Sequence, residues 1–301
     1  EGFRECMNDD SNVVTVTQDS FKLIGITEED REKYRSTNQF FDVGIAEQNM
    51  STVAAGLAKE GFTPITNGYA PFALGRAYDQ IRVSVAHPRH NIKYFLTEGL
   101  LGGDGPFHEC LESVSLGYYL PNMQVQWPCD TIEANKATLA AIRDVDGPII
   151  TLQERAPKPV VTKAETPYQY GLANIITYTG RQPKFVDSFE TSLSTKWSRK
   201  VADIVIVACG SQVSEAMRAS IILKETNNIN VSVVNLHTLK PLDKQGLLKV
   251  ISGCRGIITI AQQQKTVLGN IVAGVVLESG LKNLPALNNL IMMGVDDGYG
   301  A

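Results

Sequence analysis

The sequence predicts an α/β protein built of two doubly wound domains. Three observations carry this reading. Short Val/Ile-rich runs alternate with longer helical patterns along almost the whole chain. Those runs are largely apolar, as strands covered on both faces of a parallel sheet are. The alternation also stops near residue 156 and resumes at Asp203, which separates a larger block from a smaller one. The expected organisation is a first domain over 1–156, a linker with an insertion over 157–200, and a second domain over 201–301.

In the first block, strands are expected at 13–17, 40–43, 63–66, 92–97, 124–127 and 149–152, and helices at 47–60, 71–86, 108–119 and 131–145. The 131–145 pattern sets Ile132, Leu139 and Ile142 near one face, with charges elsewhere. In the second block, IVIVAC at 204–209 has the composition of a buried strand. Gly210-Ser211 follows as a turn and N-cap for a helix over 211–226. Strands at 231–236, 256–260 and 290–294 and helices near 243–252 and 269–280 continue the pattern. The segment 156–200 is too long for a plain tight connection. It reads as a linker with a hairpin to residue 180 and an insertion over 181–200. The first ten residues pattern as the tail of a helix, so further chain is expected upstream.

Composition narrows the function. There are 28 Lys+Arg against 32 Asp+Glu, a net charge of −4, with no long basic run. Nucleic acid and anionic membranes are therefore not expected partners. No stretch reaches the roughly 18–20 apolar residues of a membrane span. The five cysteines are scattered, odd in number and lack a CxxC, which predicts reduced thiols and a cytoplasmic location. Metal-ligand spacing is absent. His87 and His90 sit in the polar loop AHPRHN, where a solvated loop explains them better than zinc does. His237 follows a buried strand, and a structural hydrogen bond is its expected role. No GxSxG, P-loop or GxGxxG occurs.

Two stretches remain as candidate chemistry. LLGGDGPFHE is a glycine-rich loop after a strand, where loops line clefts in such sheets. It makes Asp104 and His108 candidate substrate groups, although a turn Asp and a helix start account for them equally. FFDVGIAEQNM hands a strand to a helix through Gly44 and places Glu47 in the first turn. Helix-dipole complementarity explains an acid there. A carboxyl held partly desolvated above the sheet could also exchange a proton with a ligand.

DVGIAEQNM, NGYAPFALGRAYDQIR, LPNM, VNLHTLKPLD and GVDDGYG occur in the order found in transketolases. The chain resembles the second half of such an enzyme: a parallel-sheet pyrimidine-binding domain followed by a smaller mixed-sheet C-terminal domain. It is most similar to the C-terminal subunit of a split transketolase. The likeness spans nearly everything except 181–200.

The resemblance implies thiamine diphosphate as cofactor. Glu47 would hydrogen-bond its aminopyrimidine, Phe72 would stack on that ring, and Tyr69, Ile45 and Gln48 would line the same pocket. Asp104, His108 and Arg155 would meet the sugar, His108 also as a catalytic group. It implies Mg2+ with the diphosphate, held by ligands on another subunit, and no metal ligands here. The expected partner is a separate diphosphate-binding N-terminal subunit in an α2β2 assembly with a dimer of this chain. The implied reaction is transfer of a two-carbon ketol unit between sugar-like substrates. The alternatives are a 2-oxo-acid dehydrogenase beta-type subunit and a non-catalytic scaffold.

Several positions depart from the family. Glu98 stands where a loop histidine is usual, Gly103 replaces an acid before Asp104, and Gln262-Gln263-Gln264 replaces GluGluHis. These alter the sugar side of the pocket and leave the cofactor side. An ionised Glu98 would repel a phosphate, so either the loop turns Glu98 away and Arg155 alone receives the anion, or the substrate lacks phosphate at that end; the second is the favoured expectation.

Overall fold

The computed structural model describes residues 1–98, 105–198, 202–280 and 289–299. The chain forms two compact units, the first chiefly Glu1–Gln126 and Asn135–Pro157, the second Trp127–Ala134 and Lys158–Gly298.

The first unit contains α1 (Gly2–Asp9), β1 (Val13–Thr17), α2 (Glu28–Ser36), β2 (Phe40–Asp42), α3 (Glu47–Lys59), β3 (Thr63–Tyr69), α4 (Tyr78–Gln80), β4 (Lys93–Glu98), α5 (Ser113–Tyr118), β5 (Gln124–Gln126), α6 (Thr131–Arg143) and β6 (Ile149–Glu154). Its strands run β5-β6-β4-β3-β1-β2 and are all parallel. Every residue of β1 and β4 is buried, which is why both strands are largely apolar or β-branched on both faces, with Lys93 and Glu98 as buried exceptions at the two ends of β4. From β1 the chain passes to β2 on one side and then to β3 on the other. That reversal makes the carboxyl ends of β1 and β3 the switch point, where ligands bind in such sheets. Gly68 allows a close approach there: a Cβ would lie 2.1 Å from Gln18 Nε2 and 3.0 Å from Ala73 Cβ.

Two helical expectations differ from the structure. The run 71–86 is not one regular helix. It is two π-helical segments, Pro71–Arg76 and Ile81–Ala86, around the short α4. The helix expected from residue 108 starts only at Ser113. Gly105 at φ 79° and Pro106 open a single 3-10 turn, Pro106–His108, and extended backbone at Glu109 ends it.

The second unit contains β7 (Asn174–Tyr178), β8 (Phe189–Leu193), β9 (Ile204–Ala208), α7 (Gln212–Asn227), β10 (Val231–Asn235), the short β11 (Thr238–Lys240), α8 (Lys244–Ile251), β12 (Gly256–Gln264), α9 (Lys265–Glu278) and β13 (Leu290–Val295). Its sheet runs β13-β12-β9-β10-β7-β8 and is mixed, parallel through β13, β12, β9 and β10 and antiparallel at β7 and β8. The stretch read as linker and insertion therefore supplies two strands of this sheet. Asp243 fastens them to the unit: its carboxylate accepts from Ala173 N at 2.9 Å just before β7, from the Ser194 hydroxyl just after β8, and from Gly246 N at 2.9 Å as the cap of α8. Ser211 precedes α7 but makes no side-chain cap, contrary to the sequence reading. Asp130 tethers the segment leading to β7, accepting from Val161 N at 2.8 Å and Thr162 N at 2.7 Å.

All five cysteines are buried and unbridged. Among the described residues no helix is long and apolar enough to cross a membrane. His237 is buried and stacked on Tyr168 at 4.5 Å, and burial lowers its pKa.

Candidate functional site

The carboxyl edge of the first sheet brings most of the expected residues to one place. Glu47 opens α3 just beyond β2, Tyr69 ends β3, Glu98 ends β4, and Arg155 follows β6. These strands are neighbours in register, with Tyr69 opposite Thr97 and Glu98 opposite Glu154.

Glu47 is only 4% exposed. An acid in a first turn normally stands in solvent near the helix dipole. Here the carboxyl instead receives Arg76, whose Nη1 donates to Oε1 at 3.0 Å and Oε2 at 2.9 Å. Arg76 ends the π-helical segment that also carries Phe72, and its guanidinium carbon lies 5.0 Å from that ring's centre. The sequence reading did not single out Arg76. Its signal was the basic residue at the end of NGYAPFALGR, legible only once a π-helix places it over Phe72.

Phe72, Tyr69 and His108 form an aromatic trio. Ring centres are 6.3 Å apart for Tyr69 and Phe72, 4.8 Å for Tyr69 and His108, and 5.3 Å for Phe72 and His108, all edge-to-face. Such offsets are the favourable geometry for π systems. Arg155 donates through Nη1 to the Tyr69 hydroxyl and lies over its ring at 5.6 Å. Tyr69, Phe72, His108 and Arg155 are thus brought together. Ile45, 77% exposed, and Gln48, also exposed, stand at the entrance of α3. Asp104 lies outside the described residues.

Glu98 does not present the ionised carboxylate that the sequence reading assumed. It is 5% exposed, and burial raises its pKa to about 8, against a hydrogen bond from Ser113 that lowers it. The charges of Glu154 and Glu112 raise it further. At pH 7 the carboxyl is mostly protonated and repels a phosphate little.

Sequence reasoning also missed Gln18 and Asn67, buried amides where β1 and β3 end. Asn67 Nδ2 donates to Ser20 O at 2.6 Å, while Gln18 Oε1 and Asn67 Oδ1 have no hydrogen-bond partner among the described residues. Unsatisfied buried oxygens at a switch point suit a polar ligand or bridging water.

A flat heteroaromatic ring with a basic ring nitrogen fits this arrangement. It needs one buried carboxyl, Glu47, and one aromatic wall, Phe72 with Tyr69, and both are present. Among the described residues no three His, Cys, Asp or Glu side chains cluster as a metal site.

Residues 1–157 match the transketolase pyrimidine-binding domain, and residues 194–288 match the transketolase C-terminal domain. A Methanocaldococcus jannaschii protein provisionally named a transketolase C-terminal section is 30% identical over 87% of this chain and 74% of its own length. A 1-deoxy-D-xylulose-5-phosphate synthase of Crocosphaera subtropica is 28% identical over 83% of this chain, which spans only 37% of that relative. Among solved structures, a split-gene transketolase in an inactive beta4 tetramer superposes with a TM-score of 0.79 at 25% identity, covering 100% of this chain and 88% of that one. The two domain matches follow each other in the order of the two folded units, and the chain belongs to the transketolase family.

Proposed function

We propose that this chain is the pyrimidine-binding component of a two-component, thiamine-diphosphate-dependent transketolase, which transfers a two-carbon ketol unit between sugar-like substrates. The observation that carries the reading is Glu47, a carboxyl buried at the start of α3 beside the Phe72–Tyr69–His108 rings. When bound, thiamine diphosphate supplies the nucleophilic carbon that the sugar chemistry requires. Glu47 would hold the ring nitrogen of the aminopyrimidine and exchange a proton with it. Phe72 and Tyr69 would wall the ring and exclude water, with Ile45 and Gln48 at the pocket's rim. His108 and Arg155 would receive the sugar, and Asp104 is proposed as a further substrate group. Glu98, neutral at pH 7, would act as a hydrogen-bonding wall, so a phosphorylated sugar held by Arg155 is compatible with this pocket.

The diphosphate and its Mg2+ need ligands that this reading assigns to a partner carried on another chain, in an α2β2 assembly built on a dimer of this one. Two likenesses support that assignment: the relative named as a C-terminal section, and the split-gene structure described as an inactive tetramer of beta chains. Unbridged buried cysteines are consistent with a cytoplasmic setting. The test is Glu47→Ala in the reconstituted complex. Turnover should fall by at least about 10²-fold, the scale of proton-transfer groups, with folding intact. Near wild-type turnover at saturating cofactor refutes the assignment.

A further inference from the structure

Arg76 uses two partners at once. Its Nη1 spans both oxygens of Glu47, and its guanidinium lies over the Phe72 ring. A guanidinium is planar and cationic, and it offers N–H donors in one plane with a face for stacking. A protonated aminopyrimidine offers the same pairing of in-plane donors and π face. The two partners that Arg76 holds are those the proposed function assigns to the aminopyrimidine. A ring seated against the same carboxyl and the same face of Phe72 competes with the guanidinium, whose Nη1 lies 3.0 and 2.9 Å from the two Glu47 oxygens and whose carbon lies 5.0 Å from the Phe72 ring centre.

We propose that Arg76 is a displaceable positioning residue of the aminopyrimidine pocket: its guanidinium holds the Glu47 carboxyl and the Phe72 ring, and the ring's entry moves it off both. This inference rests on the reading that Glu47 and Phe72 bind that ring. The burial of the two ends sets the direction of exchange. Glu47 is 4% exposed and Arg76 is 52% exposed. Moving Arg76 outward returns an already half-hydrated cation to water. Leaving Glu47 without a donor strands a buried carboxylate. Arg76 therefore leaves only as another donor arrives, and a ligand lacking in-plane N–H groups does not displace it. The pocket becomes selective for the pyrimidine half of the cofactor over its diphosphate half.

The position in the chain suits this role. Arg76 closes the π-helical segment Pro71–Arg76, and Ala77 after it leaves π geometry. A residue at such a boundary can swing without breaking the segment that carries Phe72.

The experiment is an NMR titration of the full chain with 4-amino-5-hydroxymethyl-2-methylpyrimidine, with inorganic pyrophosphate as a second probe. The variants are Arg76→Gln, Arg76→Lys, Glu47→Gln and the Glu47→Gln/Arg76→Gln double. Competition by Arg76 lowers the fraction of competent pocket, so Arg76→Gln should bind the pyrimidine about three- to tenfold more tightly than wild type. Arg76→Lys keeps the cation and should stay near wild type. Glu47→Gln should bind more weakly, and the double variant should show no gain over it. Pyrophosphate affinity should be unchanged by Arg76→Gln. A structural role for Arg76 predicts the opposite sign, since loosening the segment weakens binding. Weaker or unchanged pyrimidine binding in Arg76→Gln, while Glu47→Gln also weakens it, overturns the proposal and spares the cofactor reading. Equal binding, or none, across wild type and all variants overturns both.

Discussion

Glu98 and Glu154 stand directly opposite each other at the carboxyl ends of β4 and β6, two acids as register partners on adjacent parallel strands. Like charges at this spacing oppose double ionisation. Burial adds to the effect at Glu98, whose pKa rises to about 8 while its ordinary value is 4.5.

The consequence for stability has a definite sign. Between about pH 4.5 and 8 the folded chain holds a proton at Glu98 that the unfolded chain releases, so stability falls as pH rises through that window and levels off above it. Glu98→Gln mimics the protonated form. It should flatten the profile and raise stability at pH 9 by about 2–4 kcal/mol relative to wild type. Urea titrations at pH 5, 7 and 9 measure this, and parallel profiles for the two proteins would refute it.

Lys93, at the other end of β4, predicts the reverse slope. Its ammonium is fully buried, donates to Val145 O at 2.5 Å and Gly147 O at 3.1 Å, and burial lowers its pKa to about 7. Its contribution is present above about pH 10.5 and is lost as pH falls through 7. Lys93→Met strands two carbonyls, which should cost about 1–3 kcal/mol at pH 9. That cost should shrink or reverse at pH 5.5, where the wild type must bury a charge. A cost independent of pH would show that Lys93 does not titrate there.

Gly68→Ala should destabilise the first unit by about 1–3 kcal/mol, the scale of overpacking. The added methyl meets Gln18 Nε2 at 2.1 Å. Because that atom ends a flexible side chain, Gln18→Ala in the same chain should recover most of the loss. Thermal melts of the single and double variants form the test, and strict additivity would place the strain at Ala73 instead.

Asp243→Ala removes the acceptor for Ala173 N, the Ser194 hydroxyl and Gly246 N together. The second unit should lose about 2–4 kcal/mol, from an uncapped helix and stranded buried donors. Asp243→Asn, which keeps one accepting oxygen, should cost less. Equal melting temperatures for wild type and Asp243→Ala would refute the hub.

The sequence made the parallel core legible because β1, β4 and β9 carry continuous apolar or β-branched runs at their centres, as strands covered on both faces do. It made Glu47, Phe72, Tyr69 and His108 legible because motif order placed them, and the structure gathers the last three into one ring cluster. Arg76 stayed hidden because an i to i+5 helix is set by tertiary packing and leaves no residue pattern of its own. Glu98 was read as a charge because burial depth cannot be seen in TEGLL; the enclosing side chains come from Cys110, Ser113 and the neighbouring strand. The β7–β8 pair was read as linker because β8, FETSL at the sheet edge, is mostly half-buried and polar, and β7 is a short mixed run opening on Asn174.

That edge hairpin also sets an order of events. Phe189 pairs with Tyr178 across a short loop, whereas Gly256 must find Ile204 across α7, β10, β11 and α8. Hairpin formation over the short span takes microseconds, on the order of 1–10 μs, and the long parallel pairing is intrinsically slower. The second unit should therefore assemble from its periphery inward, and pulse-labelled amide exchange during refolding should protect Thr177 and Ser192 before Val207 and Thr259. The stretch most easily mistaken for a spacer would then be the first part of its sheet to take shape.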